Sequence, residues 1–345
     1  MFIKNVKKLF VVLLMTASCN SQQKTMEKYE WRPTANAPKY YAAEIISGDF
    51  YLEDGSSVYI PKGHTLMTGW GKTGAAHFVG DDLKPIPSKF DIKWVSYLEE
   101  KFYGGTFQLP KEKIATLFRK GYIDENNQKD NYSSIVLGLA PGGIISVWML
   151  GAGNTIEIER FQASEIEMTI KEFKPYVSKT LDEYLKTIKS IIIEEDIKGA
   201  VDVNNIPFGL WDTYRKKYNW NLEVIFKSER KINFHAFGLE FFNGEEFYTH
   251  PTNDLIKADT ERPVPKAAYL KWKDVNDNKF GAKVFFNEKE IFQLFTNVFD
   301  KEKISKAVVS FKIDKYNSNL EVFLEAKDKK HLLTKARIKV YEASN

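Results

Sequence analysis

The chain has 345 residues, of which 43% are hydrophobic and 14% aromatic, and a formal net charge of +4. Lys4, Lys7 and Lys8 carry most of that charge, so the rest of the chain is near neutral and lacks the basic balance of a nucleic-acid binder. The apolar content excludes a disordered acidic protein, and the length exceeds what one core usually supports, so two domains are expected.

In chain order, the first element is a basic start followed by the unbroken apolar run Leu9–Met15 and the small residues Thr16-Ala17-Ser18. That is the layout of a secretory signal over residues 1–18, and it is too short to span a bilayer. Cys19, the one cysteine of the chain, follows directly. Thr16-Ala17-Ser18-Cys19 resembles the lipobox of bacterial lipoproteins, with Thr16 standing where leucine is usual. The resemblance implies that Cys19 is acylated and becomes the mature N-terminus, with residues 19–27 as a tether. Two or three acyl chains meet the requirement for stable anchoring, and a chain otherwise free of cysteine forms no disulfide in an oxidising compartment. Asn20 in place of an aspartate, and no acid in Ser21-Gln22-Gln23-Lys24, resemble the signals of outer-membrane lipoproteins that face the periplasm.

Tyr41 to Ile60 reads as two strands around Asp54-Gly55, a hairpin signal. Ile92–Tyr97 alternates apolar and polar residues, and Lys101–Leu109 reads as its partner strand. Pro110 suits the first position of a helix whose Ile114, Leu117 and Phe118 share a face, and Gly121 can stop it. Ser134–Ala140, Ile144–Leu150 and Thr155–Phe161 read as three strands, the first two joined by Pro141-Gly142-Gly143. Ser178–Ile192 spaces Leu181, Tyr184, Leu185, Ile188 and Ile192 as an amphipathic helix. Pro207–Tyr218 reads as a second short helix, docked by Trp211 and Tyr214.

After that the sequence repeats. "KYEW" at Lys28–Trp31 returns as "KYNW" at Lys217–Trp220, a shift of 189 that also aligns Asp54-Gly55 with Asn243-Gly244. The shift then becomes 178, expected to hold without a gap. It aligns Lys84–Pro87 with Arg262–Pro265, Trp94 with Trp272, Phe102 with Phe280, and Phe107, Ile114 and Leu117 with Phe285, Phe292 and Phe295. At a shift of 180, Ile158 and Phe161 align with Ile338 and Tyr341. In the second copy Asn287 and Glu290 have capping-box spacing. The expectation is an α+β chain of two duplicated modules, 28–168 and 205–345, joined by a helical connector at 169–204. Each module is a mainly antiparallel sheet with one short helix.

The drop in shift leaves the first copy with extra residues between Tyr59 and Lys84. Added loop length on a repeated scaffold is where recognition tends to be placed. The candidate partner-binding residues are therefore His64, Gly69, Trp70, Gly71 and His77, with Trp70 either presented to a partner or folded back onto the sheet. Gly71-Lys72-Thr73 lacks the earlier glycine of a phosphate loop, and His64, His77, Asp81 and Asp82 match no metal-ligand frame. No G-x-S-x-G or H-E-x-x-H occurs; Glu99 and Glu100 are adjacent, and Glu157 and Glu159 read as a solvated strand face. No catalytic residue, metal or cofactor is expected, and the chain reads as a non-enzyme.

"GWG" at 69–71, "IKWVSYLEEKFY" at 92–103, "LAPGGIISVWMLG" at 139–151, "ERFQA" at 159–163 and "FGLWDTYRKKYNW" at 208–220 together resemble a bacterial lipoprotein family of unknown function, domain of unknown function 2931. Members of this kind occur beside type VI secretion phospholipase effectors, an arrangement similar to toxin–immunity pairs. The resemblance implies a lipid-anchored periplasmic protein that binds a protein partner, such as a secreted toxin that it neutralises. A glycan-binding envelope lipoprotein is the alternative, and an envelope-assembly scaffold the third reading.

Overall fold

The computed structural model describes residues 26–74, 80–228, 230–252 and 260–343. Residues 1–18, read above as a secretory signal, Cys19 and His77 lie outside the described residues. Strands take 46% of the chain and short helices 16%, an α+β fold.

The first half opens with β1 (Lys28–Glu30), β2 (Arg32–Asn36), β3 (Ala43–Leu52) and β4 (Ser57–Tyr59). Then come β5 (Thr65–Leu66), β6 (Leu83–Pro85), β7 (Pro87–Ser96), β8 (Lys101–Gln108) and helix α1 (Lys111–Lys120). The short β9 (Tyr122–Ile123) and β10 (Lys129–Asp130) lead to β11 (Ser134–Ala140), β12 (Ile144–Gly151), β13 (Asn154–Gln162) and β14 (Ser164–Ile166). Helices α2 (Ile170–Phe173), α3 (Leu181–Ile192) and α4 (Leu210–Tyr214) connect to the second half. There β15 (Tyr218–Phe226), β16 (Asn233–Phe241), β17 (Glu246–Thr249) and β18 (Glu261–Arg262) come first. They are followed by β19 (Pro265–Lys273), β20 (Lys279–Phe285) and helix α5 (Glu288–Phe295). The chain closes on β21 (Ala307–Ile313), β22 (Leu320–Ala326), β23 (Lys329–Leu332) and β24 (Arg337–Glu342).

In the first half a sheet of order β14-β8-β7-β3-β4 faces β2-β11-β12-β13, in which β2 and β11 run parallel. In the second, β24-β20-β19-β16-β17 faces β15-β21-β22-β23, in which β15 and β21 run parallel. Each pair of layers encloses an apolar core, around Trp31, Phe90 and Trp94 in one half and Trp220, Leu270 and Trp272 in the other. Local devices recur at matched positions. Trp31 Nε1 donates to Pro85 O at 3.1 Å, and Trp220 Nε1 to Pro263 O at 3.2 Å. β3 breaks register against β7 between Ile45 and Ser47, as β16 does against β19 between Phe234 and Ala236. Both hairpin glycines, Gly55 and Gly244, have positive φ, at 85° and 88°.

Two details of the alignment are corrected. Trp94 pairs with Tyr103, whereas Trp272 pairs with Phe280, so the second hairpin has slipped by one residue, its connection from the tryptophan to its partner (273–279) being one residue shorter than the first (95–102). A slip of one turns every side chain of a strand to the other face. Phe102 therefore points outward beneath α3 while Phe280 packs on the second core, and Phe107 packs inward while Phe285 faces out, 37% exposed. The helices carry the same offset: Ile114 and Phe118 are buried in α1, Ile291 and Phe295 in α5. The matches at a shift of 180 fall on unlike strands, Ile158 and Phe161 on β13 but Ile338 and Tyr341 on β24.

The halves meet edge to edge. β13 pairs antiparallel with β17 through Asn154–Phe247 and Thr155–Glu246, producing one nine-stranded sheet from β2 to β24. Helix α3 lays Leu185 and Ile192 over Val95, Tyr97 and Phe102 on the outer side of the β14-β8-β7-β3-β4 sheet. Thr180 caps it, with Glu183 reciprocating in a capping box.

Candidate binding face

The glycine-rich segment after β5 folds back onto the nine-stranded sheet. Trp70 is 7% exposed and meets Trp148 edge-on at 4.8 Å, with Trp211 of α4 at 6.3 Å. Gly69 and Gly71 supply positive φ on either side, 116° and 74°. Backbone groups are satisfied against the edge strand: Gly69 N donates to Ala37 O at 3.0 Å and Gly74 N to Thr34 Oγ1 at 3.2 Å, while Lys72 O accepts from Asn36 Nδ2 at 2.5 Å. Gly71 touches the opposite hairpin so closely that a Cβ there would lie 2.2 Å from Gly244 O. The Lys72 amine reaches Glu246, with Glu240 at 3.6 Å.

The expectation that Trp70 is presented to a partner is thus corrected. Its loop is a clasp between the halves, because the turn at Asn243-Gly244 and the indoles of β12 and α4 offer it an apolar seat. His64 stays apart, half-buried, with Nδ1 3.3 Å from Lys62 O. Among the described residues, no three His, Cys, Asp or Glu side chains gather as a metal ion would require.

Glu157 is a second correction. It is buried rather than solvated, because a register break between Val147 and Trp148 disturbs the alternation of β13 and the 241–245 turn covers the strand. Arg215 Nε donates to Glu157 Oε1 at 2.8 Å, and the buried Glu245 accepts from Glu157 N at 3.1 Å. Burial pushes the Glu157 carboxyl up, against the opposing pull of Arg215. This cluster ties α4 to both halves.

Beyond the clasp the same face of the nine-stranded sheet lies open. Cross-strand register sets Tyr248, Gly238, Tyr269, Lys283 and Lys339 in one row across β17, β16, β19, β20 and β24. The row above runs Glu246, Glu240, Ala267, Phe285 and Arg337, and the row below Ala236, Lys271, Gly281 and Tyr341. Glycines let the rings lie flat: a Cβ on Gly238 would meet Tyr248 at 2.5 Å, and one on Gly281 would meet Tyr341 at 2.6 Å. Tyr248 and Tyr269 are 5.5 Å apart and both donate to Glu240 Oε1, at 3.4 and 3.1 Å. Burial, with Glu240 beside it, pushes Tyr269 up to about 12 and raises Tyr248 too, so both stay protonated donors. The Arg337 guanidinium lies 5.3 Å over Phe285. Lys271 pairs with Glu125 at 2.9 Å, whereas Lys283, Lys339 and Arg337 have no carboxylate within 4.0 Å among the described residues.

The result is an aromatic centre with a cationic border, on a face whose counterpart in the first half is apolar and covered by α3. Sequence reasoning did not find it. The available signal was the run Tyr269, Lys271, Lys273 on alternate, outward positions of β19, a tyrosine among lysines where a covered face would carry Val and Phe.

Residues 18–209, more than half of the chain, match the family described as Protein of unknown function (DUF2931). The match ends where α4 begins, so the open face lies wholly outside it. No curated protein and no solved structure matches the chain.

Proposed function

We propose that this chain, which belongs to the DUF2931 family, is a lipid-anchored, non-enzymatic envelope protein that captures an acidic protein through its open sheet face. The observation that carries this reading is the outward-facing group of half-buried Tyr248, Tyr269 and Tyr341 and exposed Phe285, spread over three adjacent rows and bordered by exposed Lys283, Lys339 and Arg337. Tyrosine, phenylalanine and arginine are the residues that anchor protein interfaces, and unpaired cations select acidic surfaces and speed encounter.

The anchor serves this role. A tether at Cys19 would enter the fold beside β2, one edge of the nine-stranded sheet, while the open face reaches to β24 at the other. Eight inter-strand steps hold the far edge roughly 40 Å away. Tethering also raises the effective concentration of the binder at the periplasmic side of the outer membrane. The family resemblance points to a phospholipase-type secreted toxin as the partner, which makes this an immunity protein. The recurring strand order, register breaks and indole hydrogen bonds support reading the chain as two copies of one module, the second of which kept its sheet face free for binding.

The test measures binding of the full mature protein, in detergent, to a secreted phospholipase-type toxin. Lys283→Glu with Lys339→Glu should raise Kd at least tenfold without moving the thermal midpoint; an unchanged Kd would overturn the assignment of the face.

A further inference from the structure

We propose that the cavity at the seam of the halves is a second site, which binds an uncharged sugar ring. β13 and β17 pair through two residue pairs only and then part, leaving a cavity of about 640 Å³ beneath the seam. That is room for a mono- or disaccharide. Ile156, Tyr122 and Tyr132 wall it from the first half, Phe241 and Phe247 from the second. Tyr122 and Tyr132 meet edge-on at 5.2 Å, and the Tyr122 hydroxyl donates to Asp130 Oδ2 at 3.0 Å, which fixes its ring.

Tyr132 supplies the observation that points to a ligand. Its ring is buried, 7% of the residue being exposed, while its hydroxyl makes no hydrogen bond to a described residue and is not sealed from solvent, so it stands open to the cavity for a ligand hydroxyl to pair with. Burial, with Glu245 nearby, pushes this phenol up to about 12, so at any physiological pH it stays protonated, able to donate one hydrogen bond and accept another.

Charge decides the ligand class. The lining carries Lys120, Lys217 and Arg262 against Glu245, Glu246 and Glu261, with Lys217 3.6 Å from Glu245. No net field is left to recruit an ion, while donors and acceptors stand beside flat aromatic walls. A sugar ring matches both features, its CH face against a ring and its hydroxyls toward the polar groups. Of the residues named on the open face only Glu246 also lines this cavity, and the inference does not depend on that proposal.

The test is saturation-transfer NMR on the full mature protein with glucose, N-acetylglucosamine and maltose, each at about 10 mM, and benzoate as a charged control. At least one sugar should show transfer to its ring protons, stronger than benzoate does. Tyr132→Phe, which keeps the ring, should weaken that binding roughly three- to tenfold, the worth of one hydrogen bond. Lys217→Met, an exposed change at the cavity's edge, should weaken it as well. No transfer to any sugar, stronger transfer to benzoate, or unchanged affinity in both variants would overturn the proposal.

Discussion

Trp70→Ala removes the indole that joins the clasp to β12 and α4. At 7% exposure nearly the whole side chain is out of water. A tryptophan of about 200 Å² buried at about 25 cal/mol per Å² gives an upper value near 5 kcal/mol. The edge-on contact with Trp148 adds to that and is lost too. Retained Cβ burial and partial collapse of the site reduce it, so the expected loss is about 3–5 kcal/mol. For a chain of this size that lowers the thermal midpoint by about 6–10 °C. Trp70→Phe should cost much less, because the indole N–H it discards is buried without a hydrogen-bond partner among the described residues. Differential scanning calorimetry of the two variants beside wild type checks both values. A midpoint for Trp70→Ala within about 1 °C of wild type would refute the reasoning, since it would mean that the indole is not part of a core.

Gly71→Ala should destabilise by about 2 kcal/mol or more, since the new methyl meets backbone and φ is 74°; chemical denaturation reads this, and a neutral result would remove the clasp contact. Glu325 is held near 2 chiefly by Lys312, with Ser310 and Lys330 assisting, well below its unfolded value of 4.5. Its contribution is therefore present above pH 4.5 and lost as pH falls toward 2, and Glu325→Gln should flatten that part of a midpoint-against-pH curve. Glu157 has the opposite sign: its raised carboxyl costs stability as pH climbs from 4.5 through the folded value. Glu157→Gln should accordingly lose less midpoint than wild type over that rise. Cys19→Ser should leave unprocessed precursor without acyl label in a metabolic palmitate experiment, and normal maturation would end the lipoprotein reading.

Much of the fold could be read along the chain because its signals are local. Asp54-Gly55 and Pro141-Gly142-Gly143 demand positive φ at glycine, and Gly55, Gly142 and Gly143 adopt it. The face of α3 follows from spacing alone, and Asn287 caps α5 by accepting from Glu290 N. Glu290 itself turns away to Thr334 and Lys335, so the reciprocal bond of a capping box was not to be had from spacing. What stayed hidden depends on the meeting of the halves. Glu157 looks solvated until the 241–245 turn is set over it, and Trp70 looks free until Gly244 and Trp211 arrive. The slip of β20 is a matter of one turn residue, yet it decides that Phe285 and Lys283 face outward. The open face is there because, among the described residues, no helix is laid over β16, β19, β20 and β24 as α3 is laid over the first half, a feature no local pattern carries.

Site-specific photocrosslinking in living cells tests the central claim most directly. A benzophenone side chain at Phe285 or Tyr269 should yield one crosslinked species with an acidic protein, lost when Lys283 and Lys339 are reversed to glutamate. The same probe at Tyr316, 73% exposed but off this face, should yield none. Crosslinks from Tyr316 with none from Phe285 or Tyr269 would contradict the account.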